Sequence, residues 1–146
     1  WAVWQAVYSS VADDGYPTPL WDPETGDIDP EVAKYWRENA DLSAIIDRDW
    51  GEIGQDLRGK LHFAVGTMDN FYLNEAVYLI QDVLESKTSP PADATFQYGF
   101  RGRHSWIGHS PVEPARQMTY AEFISVLADY ITRNAPQGAD RSSWKY

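Results

Sequence analysis

The chain has 146 residues, 43% of them hydrophobic and 14% aromatic, which suits one folded domain with a core of useful size. With 12 basic against 22 acidic residues its net charge is −10, which argues against a nucleic-acid partner and against an anionic membrane surface, since both need a basic face. Cysteine is absent, so disulfides, thiolate metal sites and cysteine nucleophiles are excluded.

No apolar run approaches the roughly 18 residues of a membrane span, and no signal peptide is recognisable. The opening residue, Trp1, is read as the mark of a trimmed chain or a fragment, in which case a targeting segment would have been lost.

From the amino end, Trp1, Trp4, Val7 and Tyr8 recur at helical spacing over barely two turns. Residues 9–29 read as loop, with Asp13-Asp14-Gly15 and Pro17-Thr18-Pro19 as turn chemistry. The acidic run from Asp22 invites comparison with a calcium loop. Its glycine, Gly26, falls fifth where the pattern needs the sixth position, and Ala33 stands where a glutamate is required. A tight turn with Gly26 in a left-handed conformation is the expected alternative.

Asp29-Pro30 is a helix start, an acidic N-cap followed by proline at the first helical position. Val32, Tyr35 and Trp36 form its inward stripe. A second short helix, capped by Asp41, turns Leu42, Ile45 and Ile46 inward. A third, around Trp50, Ile53 and Leu57, is expected to be interrupted by Gly51 and Gly54 and to stop at Gly59. Residues 1–59 thus form a region of loops and short helices.

Residues 60–134 read as strand, helix, strand, helix. Lys60 to Val65 is an apolar strand ending at Gly66. A helix over about residues 72–86 carries Leu73, Ala76, Val77, Ile80, Val83 and Leu84 on one face. Thr95 to Phe100 is a second strand with Phe96, Tyr98 and Phe100 on one side. Thr119 and Glu122 form a capping box, with Met118 and Phe123 placed as a hydrophobic staple. The helix that follows, to about Asn134, turns Phe123, Ile124, Leu127, Tyr130 and Ile131 inward. Residues 135–146 are an extended tail in which Trp144 and Tyr146 could dock.

This order is a parallel crossover unit of an α/β fold, three-layered and right-handed by default. Two parallel strands need neighbours, because such sheets are buried on both faces. Missing strands and an exposed apolar sheet edge are therefore expected, with self-association or a partner to cover it.

Asp69 follows the first strand and His104 follows the second, thirty-five positions later. A carboxylate that orients a histidine base is the acid–base part of a serine triad, which in α/β-hydrolases runs nucleophile, acid, histidine along the chain. Asp69 could instead cap the following helix, and His104 could be a structural loop histidine. His62, inside a strand, reads as structural. A metal site from His104, His109 and Asp69 lacks a recognised ligand spacing. No pair of carboxyls stands out for glycosidase chemistry.

Gly66-Thr67-Met68-Asp69 with Asn70 to Asn74, followed by Gly102-Arg103-His104-Ser105-Trp106, resembles the carboxyl-terminal half of α/β-hydrolase esterases, in the group related to esterase D and S-formylglutathione hydrolase. Trp4 to Tyr8, Gly15-Tyr16-Pro17 and Tyr35 to Asn39 are similar to exported members of that group. The resemblance implies a partial α/β-hydrolase fold, Asp69 as the triad acid and His104 as its base. It further implies an ester or acyl substrate, no cofactor, and a secreted or periplasmic setting. No serine here lies in the Gly-x-Ser-x-Gly turn that carries the family's nucleophile. The isolated chain is therefore expected to be inactive and to need a missing nucleophile half. The alternative is a non-enzymatic binding or interaction module on the same scaffold.

Overall fold

The computed structural model describes residues 2–141 and 143, so the docking expected of Trp144 and Tyr146 lies outside the described residues. The described residues form a mixed α/β chain of five helices and a two-stranded parallel sheet. They fall into two compact units, residues 1–53 and 54–146.

In the first unit, α1 spans Ala2–Tyr8 and α2 spans Pro30–Asn39. Asp29 caps α2 as expected, its carboxylate accepting from the backbone N–H groups of Glu31 and Val32. Val32 is buried, and Trp36 donates its indole N–H to the Ser9 hydroxyl at 2.8 Å. Tyr35 is 40% exposed and so stands outside the stripe predicted for it. Between the helices, Gly26 adopts φ +81° in a turn closed by Asp22, whose carboxylate accepts from Glu24 and Thr25.

The interrupted pair of helices expected over residues 41–57 is one continuous helix, α3, Leu42–Leu57. A glycine inside a helix costs about 1 kcal/mol relative to alanine. Two of them are outweighed by the anchoring of buried Ile46 and Trp50, one turn apart on the same face. Leu42, 67% exposed, lies off that face.

The second unit contains the sheet. β1 spans His62–Gly66 and β2 spans Thr95–Gly99, joined by α4, Leu73–Glu85. Their parallel register pairs His62 with Thr95 and Gly66 with Gly99. Strand alternation sorts the side chains onto two faces. On one, Phe63 stacks on Phe96 at 5.1 Å, and Tyr98 packs against Tyr78 of α4 at 5.3 Å and hydrogen-bonds Gln81. Ile80 and Leu84 of α4 are buried, whereas Leu73 and Ala76, predicted to share their face, are exposed in the first turn. On the other face, His62 stacks on Tyr130 of α5, Tyr120–Asn134, at 3.9 Å, and its Nδ1 lies 2.7 Å from the Thr95 hydroxyl.

The capping box at the start of α5 is present, and it belongs to a larger cluster. Glu122 accepts from the Thr119 backbone, from the Ser110 hydroxyl at 2.8 Å and from both arms of Arg116 at 2.7 and 2.8 Å. The Arg116 guanidinium, with the Thr119 N–H and Ser110 hydroxyl, holds the Glu122 carboxyl well below the usual range. This cluster ties the 109–118 loop to α5, and Ser110 within it is 1% exposed. The apolar stripe of α5 is only partly used: Ile124, Leu127 and Ile131, expected inward, are 60%, 43% and 59% exposed. A two-stranded sheet is too narrow to cover a whole helix face. Phe100, one residue past β2 and 87% exposed, has likewise left the face shared by Phe96 and Tyr98.

Candidate functional site: an aspartate–histidine pair at the strand ends

In a parallel pair both strands end on the same edge, so residues just past β1 and β2 converge. The loops after Gly66 and Gly99 meet at backbone distance. Met68 N–H donates to the Gly102 carbonyl at 3.0 Å, and Thr67 N–H donates to the Gly99 carbonyl at 2.9 Å. Glycine is required at position 66. A Cβ on Gly66 would sit 2.2 Å from the carbonyl carbon and oxygen of Gly102.

This convergence brings Asp69 and His104 together, with Asp69 Oδ2 3.0 Å from His104 Nδ1. The Asp69 side chain is 2% exposed and that of His104 is 49% exposed. Asp69 Oδ1 accepts the backbone N–H of Phe71 at 2.7 Å. The predicted capping alternative takes a different form. The N-cap of α4 is Tyr72, in a left-handed conformation with φ +60° and no side-chain cap bond. Asp69 closes the turn before the helix with one oxygen and leaves the other for the histidine. Burial works against the Asp69 charge, but the Phe71 N–H, the His104 ring and the Leu73 N–H outweigh it and lower the carboxyl's pKa.

An ionised carboxylate can only accept, so the contact calls for the His104 tautomer protonated at Nδ1. Nε2 then carries the lone pair, and it has no hydrogen-bond partner among the described residues. The ring of Phe71 meets the imidazole edge-on at 4.7 Å. The loop carrying His104 is seated by Trp106, which is buried. A Cβ on Gly99 would lie 2.4 Å from its indole, so the ring rests directly on the glycine backbone.

The structure does not bring His109 to this pair. Its Nδ1 lies 2.9 Å from the Pro114 carbonyl, and its ring packs against Trp106 at 4.9 Å. Among the described residues no group of three or more His, Asp or Glu is placed to hold a metal ion. No described helix is long and apolar enough to cross a membrane.

Sequence reasoning gave Thr67 and Phe71 no role beyond the resemblance and overlooked the Gly66–Gly102 approach. The one signal available was glycine at corresponding places, 66 and 99, followed by 102, around both strand ends. Comparison with models of protein families, with curated proteins and with solved structures finds no match.

Proposed function

We propose that this chain supplies the acid and base of a serine esterase-like hydrolase, on part of an α/β-hydrolase fold, and that a serine from an upstream segment completes the triad. The observation that carries this reading is the 3.0 Å contact between a buried Asp69 carboxylate and a half-exposed His104 whose other nitrogen is unengaged. In the reaction, Nε2 takes the serine proton as the hydroxyl attacks an ester or acyl carbonyl. It then returns that proton to the leaving group, and Asp69 stabilises the imidazolium in between. Water repeats the sequence to release the acid. Met68 and Phe71, both exposed beside the pair, offer an apolar rim suited to an acyl group. No cofactor is needed. Under the alternative, a binding module, the Asp69–His104 contact would have no chemical use.

The test is complementation. The chain is co-expressed with the upstream segment of its own gene that bears a Gly-x-Ser-x-Gly turn, and hydrolysis of a chromogenic short-chain ester is followed. The chain alone should be inactive, because loss of a triad nucleophile costs about 10⁶ in kcat. The complemented protein should be active, and His104→Ala should abolish that activity. A gene without such a segment, or activity unchanged in His104→Ala, refutes the proposal.

A further inference from the structure

We infer that Thr67 is a positioning residue, and that its hydroxyl fixes the separation of Asp69 and His104 by holding the two strand-end loops together. The hydroxyl sits between the loops. It donates to the Gly99 carbonyl at 3.2 Å and accepts the Arg101 backbone N–H at 2.9 Å. Arg101 has φ +56°, a left-handed conformation unfavourable for any side chain but glycine. The bond from Thr67 stabilises it at the turn where the chain leaves β2. The next residue, Gly102, gives its carbonyl to Met68, and His104 follows two positions later. Asp69 stands two positions after Thr67 on the opposing loop. The hydroxyl is therefore placed symmetrically, two residues before the acid and at the root of the loop that carries the base.

Apart from the Asp69–His104 contact itself, the cross-links between the two loops among the described residues are the backbone bonds from Thr67 and Met68 and the glycine contact, and the Thr67 hydroxyl adds a side-chain bond that resists sliding. Valine at position 67 has the same branched shape and fills the same space but cannot bridge. Serine keeps the bridge.

The catalytic meaning of this inference rests on the hydrolytic reading, but its geometry is testable on the chain alone. In ¹⁵N-histidine-labelled protein, with His104 assigned by His104→Gln, the wild type should show His104 protonated at Nδ1 and an Nδ1 proton protected from exchange. Asp69→Asn should lose that proton signal. Thr67→Val should lose it too, with far-UV circular dichroism unchanged, and Thr67→Ser should retain it. A role limited to stability would lower the melting temperature of Thr67→Val while leaving the Nδ1 proton in place, and that result overturns the inference. So does a wild type protonated at Nε2, or a loss in Thr67→Ser equal to that in Thr67→Val. If Thr67→Val does not fold, Thr67→Ala, which removes the same hydroxyl and its bonds to Gly99 and Arg101, decides in the same way, and an unchanged Nδ1 proton there refutes the idea. In the complemented enzyme, Thr67→Val should lower kcat about 10- to 100-fold with KM unchanged. A failure of complementation leaves the spectroscopic result standing, so the two readings fail separately.

Discussion

Gly66→Ala should be among the most damaging single-methyl additions to this chain. The new Cβ would fall 2.2 Å from the carbonyl carbon and oxygen of Gly102 and 2.7 Å from the Arg103 oxygen. Ordinary carbon contacts lie at about 3.5–4.0 Å, so the loops would have to part by more than about 1 Å. All three opposing atoms are backbone, and no rotamer change relieves the clash. Overpacking a tight site costs about 1–3 kcal/mol, and a clash against backbone belongs at the upper end. At about 2–4 °C per kcal/mol for a chain of this size, a melting point lower by about 6–12 °C is expected. Gly51→Ala is the matched control: nothing lies within 4 Å of its Cβ, and the position is inside α3. It should stabilise by about 0.8–1 kcal/mol. Urea unfolding followed by tryptophan fluorescence measures both. A Gly66→Ala protein within 0.5 kcal/mol of the parent, a threshold set by the usual spread of neutral surface changes at about that size, would refute the close approach of the loops.

Trp106→Ala should cost about 3–5 kcal/mol, because it empties the seat on Gly99, and loss of near-UV dichroism would report it. Glu122 has a depressed carboxyl in the folded chain, so the stability it contributes is present above the ordinary glutamate value of about 4.3 and is lost as pH falls below it. Glu122→Gln should therefore be less stable than the parent at neutral pH and show a flatter loss of stability on acidification; parallel pH profiles would contradict the cluster. Ser9→Ala leaves the Trp36 indole N–H without its acceptor and should destabilise the first unit by about 0.5–1.5 kcal/mol, read from its urea midpoint.

Much of the local structure was legible because it depends on neighbours in sequence. The Asp29-Pro30 start, the Thr119–Glu122 box and the Gly26 turn each involve residues a few positions apart, and each is found where the pattern placed it. The Asp69–His104 pairing was legible for a different reason: both residues follow strands whose parallel pairing carries them to one edge. What escaped depended on distances that only the fold sets. Gly51 and Gly54 read as helix breakers, yet the burial of Ile46 and Trp50 overrides them. Ile124, Leu127 and Ile131 have the periodicity of a core stripe, but periodicity does not report how wide a sheet the stripe must cover. Thr67 had no role of its own in the sequence pattern, because its use depends on Arg101 being opposite.

The ladder of β1 and β2 also acts as a gauge for the Asp69–His104 contact. One residue of strand is about 3.3 Å long, and a slip by one turns every side chain to the other face. A slip by two keeps the faces but displaces one loop against the other by about 6.6 Å, more than twice the 3.0 Å separation of Asp69 and His104. Asp69 and His104 can therefore meet in only one alignment of the strands. A measurement of the histidine's hydrogen bond is then also a measurement of register, ten residues of sheet reported by a single proton.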